Sequence, residues 1–248
     1  MEKDDESVDT SQHDILSVGE LADKIKPPFS MAIASKRNTG KTMLVSVLIH
    51  ELVLAKKVDL VLVMSQTAHV NDDYWFISPK LRQPFSERLI EKLMEKQALQ
   101  KKGSRDQVLL ILDDVLSTKE AENSRFIKKL YTLGRHYDIS IVLISQTSNV
   151  ALTPAIKQNS DFLGYSRLNK YQLLSLYESI TNMGRKEFVE FSEQNNKNYV
   201  FIFVDNTTQS NNPEDFLLKV KVSEEEAEQI SKEEVSDDAS TQESDDSE

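Results

Sequence analysis

Ser35-Lys36-Arg37-Asn38-Thr39-Gly40-Lys41-Thr42 lies between an apolar run, Phe29 to Ala34, and a stretch from Thr42 onward with helical apolar spacing. Strand, short polar loop and helix in that order form a phosphate-binding loop, in which successive backbone N–H groups and the helix N-terminus surround an anion. Lys41 would reach the β- and γ-phosphates of a nucleoside triphosphate, and the Thr42 hydroxyl would ligate Mg²⁺. Ser35, Lys36, Arg37, Asn38, Thr39 and Gly40 would supply the cradle. The usual G-x-x-x-x-G-K-[ST] pattern has glycine where Ser35 stands, which leaves Gly40 to provide unrestricted backbone angles. By itself the segment also reads as a polar turn before a helix, so its neighbours must decide.

Two downstream runs bear on that choice. Val108-Leu109-Leu110-Ile111-Leu112-Asp113-Asp114 is unbroken apolar sequence ending in two carboxylates, the pattern of a strand buried on both faces. Asp113 at the strand's carboxyl end would face Thr42 across the Mg²⁺, a hard cation that prefers oxygen ligands. The alternative is a core strand entering an Asp-rich turn. Ile139 to Thr147 is a second such run, and it ends in the amide of Gln146. If this strand lies between the loop strand and the Asp113 strand, Gln146 would face the γ-phosphate and orient water or sense phosphate loss. Otherwise it is an ordinary strand-ending amide. In open parallel sheets ligands bind outside the carboxyl ends of the strands, so three polar strand ends on one edge favour the nucleotide reading.

The chain has 248 residues, 39% hydrophobic and 29% charged, enough for one sizeable domain with its own core. With no cysteine, disulfides and thiolate metal sites are excluded. No apolar stretch approaches the ~18 residues of a membrane span, and a soluble intracellular protein is expected. The net charge of −11 is uneven. Residues 223–248 carry twelve acids against Lys232, and residues 15–222 are mildly basic, which permits contact with nucleic acid. Accordingly residues 1–14 are expected to be disordered, 15–222 to form the domain and 223–248 to form a disordered acidic tail that solvates or docks a partner.

Along the domain, Ile15 to Ile25 reads as an amphipathic lead-in ended by Pro27-Pro28. Helical spacing is expected over Met43 to Lys56, Glu87 to Lys102, Ala121 to His136 and Lys170 to Ile180, with a further helix led by Gly184. Within the third, Phe126, Leu130 and Leu133 should turn inward and Arg125, Lys128 and Lys129 outward. Strands are expected over Val58 to Met64, Ser160 to Tyr165 and Tyr199 to Val204, with Phe216 to Val222 at an edge. Lys96, Lys101, Lys102 and Arg105 read either as a solvated helix face or as phosphate contacts. Arg135 reads either as a cap on the helix's negative end or as an arginine finger aimed at a neighbouring subunit's γ-phosphate. No His, Cys or carboxylate cluster surrounds His136, so no metal is assigned there.

The loop, the LLILDDV strand and L-G-R-H-Y-D-I-S-I-V-L-I-S-Q-T, followed by Pro154-Ala155-Ile156-Lys157-Gln158-Asn159 as P-x-x-[RK]-x-N, resemble the poxvirus-type DNA-packaging ATPases of the FtsK–HerA superfamily. The resemblance covers most of residues 28–206 and is most specific from Arg135 through Gln146. It implies an α/β P-loop NTPase fold of the RecA-like ASCE class, with a mostly parallel central sheet flanked by helices. It also implies a motor that hydrolyses ATP with Mg²⁺ and pumps double-stranded viral DNA into a capsid, as a homo-oligomeric ring meeting a capsid or portal-type vertex component. The expected setting is the host-cell cytoplasm, a viral factory or the virion. On this reading Thr42 and Asp113 hold Mg²⁺, Asp114 activates water, Gln146 senses the γ-phosphate and Arg135 acts in trans. Asp114 stands where many such ATPases have glutamate, one methylene longer, so its water must sit closer or its turn must tilt. Loops near Asn71 to Lys80 and Ser148 to Lys157 are candidates for gripping DNA. The rivals are a P-loop enzyme of another class, such as a small-molecule kinase, and a non-hydrolysing nucleotide-gated scaffold.

Overall fold

The computed structural model describes residues 14–67, 74–117, 124–146, 153–177 and 183–230. Strands β1 (Ile15–Leu16), β2 (Ser30–Ser35), β3 (Leu60–Ser65), β4 (Arg82–Gln83), β5 (Val108–Asp113), β6 (Ile139–Ser145), β7 (Phe162–Ser166), β8 (Phe201–Asp205) and β9 (Leu217–Val220) form one sheet. Their order is β1-β9-β8-β7-β2-β6-β5-β3-β4. β8 runs antiparallel to β7 and β9, and the other pairings are parallel. The run ending in Gln146 thus forms the strand between the loop strand and the Asp113 strand, as the nucleotide reading required.

Strand alternation explains why those runs are apolar throughout. Leu110, Leu112, Ile141, Leu143, Ala32 and Ala34 point into one core, while Leu109, Ile111, Val142, Ile144, Met31 and Ile33 point into another. A period of two delivers successive side chains to opposite faces, and a parallel sheet covered on both faces needs apolar residues at every position. The second core is closed by α1 (Val18–Lys24) and α2 (Lys41–Leu54). The first is closed by α3 (Glu87–Leu99), α4 (Arg125–Leu133), α5 (Pro154–Asn159), α6 (Lys170–Tyr177), α7 (Arg185–Asn195) and α8 (Pro213–Phe216). Two phenols are buried within it. The Tyr131 hydroxyl donates to the Met31 carbonyl at 2.7 Å, and the Tyr165 hydroxyl lies 2.8 Å from Ser192 Oγ. Burial pushes both tyrosine pKa values above their ordinary range. Among the described residues no helix is long and apolar enough to cross a membrane.

Four expectations need correction. Leu133 is 38% exposed, and the inward positions of α4 are Phe126, Ile127, Leu130 and Tyr131. The helix stops at Leu133 and tightens into a 3₁₀ turn over Gly134–Tyr137, so buried Gly134 takes the next inward place. The lead-in begins with two residues of strand, β1, before a helix whose Ser17 and Glu20 form a capping box. β9 is paired on both sides and β1 is the edge.

The fourth correction concerns the acidic tail. Residues 224–230 form a helix on the body. Ser223 and Glu226 close its first turn reciprocally, the Ser223 N–H donating to Glu226 Oε2 (2.7 Å) and the Glu226 N–H to Ser223 Oγ (3.1 Å). Glu226 Oε1 also accepts from the Gly19 N–H at 2.8 Å, a free donor in the first turn of α1, and Ile230 enters the core. The rest of the expected tail, 231–248, and residues 1–13 of the expected disordered N-terminus lie outside the described residues.

Gly164 of β7 faces Phe203 of β8, and a Cβ there would come within 2.6 Å of the phenyl ring. Gly164→Ala should lower stability by ~1–3 kcal/mol through overpacking. The check is the urea midpoint at unchanged secondary-structure signal, and an unaltered midpoint would contradict the close approach.

Candidate functional site

The parallel register of β2, β6, β5 and β3 brings the carboxyl ends of these strands to one edge. There Arg37, Asn38, Thr39, Gly40, Lys41, Thr42, Ser65, Thr67, Asp113, Asp114 and Gln146 line a cleft of 370 Å³. Arg37 to Thr42, the carboxylate pair and the amide singled out in the sequence therefore share one site, while Ser35 and Lys36 of the expected cradle do not line it. Arg135 does not join them within its own chain. It is exposed in the 3₁₀ turn before β6, at the amino end of the strands, where Arg105 Nη1 donates to the His136 carbonyl at 2.7 Å.

Ser35 continues β2 in register with Ser166 of β7, so its place in the motif asks for no glycine-like angle. Its side chain closes the loop instead. The Thr39 hydroxyl lies 3.0 Å from Ser35 Oγ and 2.9 Å from the Lys36 carbonyl, with both side chains buried. Asn38 (φ 56) and Gly40 (φ 82) turn the loop through the left-handed region. At Gly40 that angle is strained for any side chain, and a Cβ would meet Tyr199 Cδ1 at 3.4 Å. Gly40 then caps α2 and offers no side-chain hydrogen bond of its own to the first-turn N–H groups, the donors an anion takes up.

A chain of hydrogen bonds links the three strand ends. Lys41 Nζ donates to Asp114 Oδ2 at 3.1 Å and Oδ1 at 3.3 Å, Gln146 Nε2 donates to Asp114 Oδ2, and Arg37 Nε donates to Gln146 Oε1 at 2.7 Å. Both ends of the Gln146 amide are thereby specified. Asp114 adopts φ 50, a left-handed angle that aspartate tolerates better than most residues, and its N–H donates to the Ile144 carbonyl at 3.1 Å. This turn carries the Asp114 side chain to the loop lysine.

Asp113 is 7% exposed and accepts a hydrogen bond from the Tyr74 hydroxyl at 2.8 Å. Tyr74 opens an apolar quartet, Tyr74 to Ile77, and nothing in the local sequence shows that its hydroxyl reaches a residue 39 positions away. Ser65, in register with Asp113, and Thr67 add hydroxyls at the same edge, 3.2 Å apart. Ser65 directly follows the strand expected over Val58 to Met64. Among the described residues no three His, Cys, Asp or Glu side chains gather as a metal cage. The hydroxyl of Thr42 and the carboxylate of Asp113 nonetheless suit Mg²⁺, which is held by one or two protein oxygens together with substrate phosphates. The polar members of the P-x-x-[RK]-x-N segment bind main chain instead: Lys157 Nζ donates to the Ser175 carbonyl (2.6 Å) and Asn159 Nδ2 to the Ala155 carbonyl (2.8 Å). Of the two loops expected to grip DNA, residues 71–73 and 148–152 lie outside the described residues.

Tyr74→Phe removes a donor from a buried carboxylate and should cost ~1–3 kcal/mol. In a double-mutant cycle with Asp113→Ala the two changes should couple by ~1 kcal/mol or more in urea unfolding, and simple additivity would count against the bond.

Known proteins resemble this chain in sequence and in fold. The chain is 27% identical over 190 residues to protein 075L of Invertebrate iridescent virus 6, covering 73% of this chain and 72% of that protein. It is 24% identical over 200 residues to protein 015R of Frog virus 3, covering 77% and 61%. Among solved structures, the genome packaging NTPase B204 of Sulfolobus turreted icosahedral virus 2 in complex with AMP superposes with a TM-score of 0.57 at 16% identity, over 80% of this chain and 100% of that one. The pCW3 conjugation coupling protein TcpA with ATPγS gives 0.55 at 13% identity, over 78% and 59%. These likenesses place the fold among P-loop ATPases. The family described as Poxvirus A32 protein matches residues 20–153, more than half of the chain and inclusive of Lys41, Asp113, Asp114 and Gln146. The chain is a member of that poxvirus A32 protein family.

Proposed function

We propose that this chain is a genome-packaging NTPase of a large DNA virus, a motor in which ATP hydrolysis drives double-stranded DNA into a capsid. The observation that carries the reading is the convergence of Lys41, Asp113, Asp114 and Gln146 from neighbouring strand ends on one 370 Å³ cleft. The name of the B204 relative, a packaging NTPase, supports the packaging role.

Phosphoryl transfer asks a protein mainly for positioning and charge, and the side chains supply both. The first-turn amides of α2 would bind the β-phosphate. The Lys41 ammonium, here within 3.1 Å of Asp114, would turn to the β- and γ-phosphates as their charge competes for it. That exchange frees the Asp114 carboxylate to accept a proton from the attacking water. Gln146 bonds both Asp114 and Arg37, so it would orient that water and pass the loss of the γ-phosphate to the loop. Thr42 and Asp113 would hold Mg²⁺, whose contribution is to neutralise charge on the phosphates.

Arg135 sits at the opposite end of the strands from the cleft. Head-to-tail packing sets opposite faces of identical subunits against each other and closes into rings. In such a homo-oligomer Arg135 would meet the neighbour's γ-phosphate, with the ring threading DNA and docking on a capsid vertex component. A kinase acting on a small acceptor and a non-hydrolysing scaffold are the remaining alternatives.

Phosphate release, measured with and without double-stranded DNA, separates the three. Turnover that rises with DNA and falls to background in Lys41→Ala is expected. DNA-indifferent transfer to an acceptor would favour the kinase, and no turnover the scaffold. Arg135→Ala should slow hydrolysis by ~10³ or more, and mixing it with Lys41→Ala subunits should restore part of the rate. No rescue at any ratio, with both variants folded, would contradict a trans role.

A further inference from the structure

Beside the polar cleft lies a second, apolar one. It measures 310 Å³ and is lined by Met43, Tyr199, Phe201, Val222 and Ala227 among others, and it shares Thr39, Gly40 and Met43 with the first. The two hollows thus meet at the turn of the loop, one rich in charge and donors, the other chiefly apolar with Lys221, Ser223 and Glu224 also in its lining. A nucleotide has the same division: a triphosphate at one end and a flat, largely apolar heterocycle at the other.

The chain also exposes apolar groups on both sides of this hollow. Met43 is 40% exposed and Tyr199 58%. Tyr199 is held at φ 64 directly after Asn198 at φ 53. A left-handed angle is ordinary for asparagine, but for a bulky aromatic it is an outlier of the kind that persists where surrounding structure enforces it. The Arg167 guanidinium lies over the Tyr199 ring, 5.6 Å from its centroid, and the ring edge approaches Gly40. Arg167 directly follows β7 and Tyr199 precedes β8, so the antiparallel pairing of these strands brings both beside the loop. The far wall is the helix over 224–230, tied to α1 through Glu226 and to the core through Ile230.

We infer that this hollow is the nucleobase site, with a purine stacked on Tyr199 between Met43 and the helix that opens the acidic tail. The inference rests on the nucleotide reading of the polar cleft and deepens it. An apolar slot beside an aromatic ring selects by ring area, so ATP and GTP should bind more tightly than CTP and UTP. It also makes residues 223–230 part of the binding site.

The test is equilibrium titration of the full chain with Mg²⁺ and either ATP, GTP, CTP, UTP or inorganic tripolyphosphate, which has the charged end and no base. Tyr199→Ala, which removes the ring, and Ala227→Trp, which fills the hollow, should each weaken ATP about tenfold. Both should leave tripolyphosphate within about twofold, whereas Lys41→Ala should weaken both ligands. If ATP affinity stays within about twofold in both variants, or if tripolyphosphate falls as far as ATP, the base lies elsewhere and the proposal fails while the polar cleft stands. If the wild-type chain binds neither ligand, the nucleotide reading fails first and this inference with it.

Discussion

Parallel hydrogen bonding across β2, β6 and β5 is the constraint on which the site depends. Parallel strands deliver their carboxyl ends to a common edge, and the register sets Ala34 beside Ser145 and Ile144 beside Asp113. Asp114 and Gln146, which follow β5 and β6, therefore face the cleft lined by the loop after β2. The register is held by burial, because a slip of one residue would turn every inward side chain to the opposite core. Leu110, Ile141 and Ala32 on one face and Ile111, Val142 and Ile33 on the other make such a slip costly for all three strands together. Rigidity in the sheet thus becomes precision among groups that arrive from distant parts of the chain.

The strand ends are joined by a charged bond that, in the proposed function, a phosphate would replace. Lys41 and Asp114 both line the cleft, with 11% and 32% of their side chains accessible, so an anion entering it would compete directly for the Lys41 ammonium. Gln146 and Arg37 extend the pair into a network. A change at Lys41 then reaches the tip of β6 through bonds already in place. The α4–β6 connection that carries Arg135 is held at the other end of the sheet, where Gln97 Nε2 donates to the Tyr137 carbonyl at 2.9 Å.

Much of this was legible in the sequence, for reasons tied to particular residues. The runs at Val108 and Ile139 are almost wholly apolar because both faces of their strands are covered, and the polar residues that end them mark the edge where the cleft opens. Gly40-Lys41-Thr42 was legible because its chemistry is local. Contacts made across long sequence separations were hidden. Tyr74 reaches Asp113, Glu226 caps α1 from 207 positions away, and Tyr199 stands beside Gly40 through the β7–β8 pairing. One local signal was present and passed over: Ser223 and Glu226 have the spacing of a capping box, but like-charged neighbours made the segment read as solvated chain. Ser35 shows the converse, since the motif asked for glycine and the fold met the need with a side-chain bond to Thr39.

The account stands on Lys41, Asp113, Asp114 and Gln146 surrounding one triphosphate and its metal. A crystal structure of the chain with Mn²⁺ and a non-hydrolysable ATP analogue tests this directly, with the metal located by its anomalous signal. The account predicts Lys41 Nζ on phosphate oxygens and released from Asp114, with the metal between Thr42 and Asp113 and Gln146 beside the γ-phosphate. A nucleotide bound at another edge of the sheet, or at this edge with the Lys41–Asp114 bond intact and the metal distant from Asp113, would contradict it.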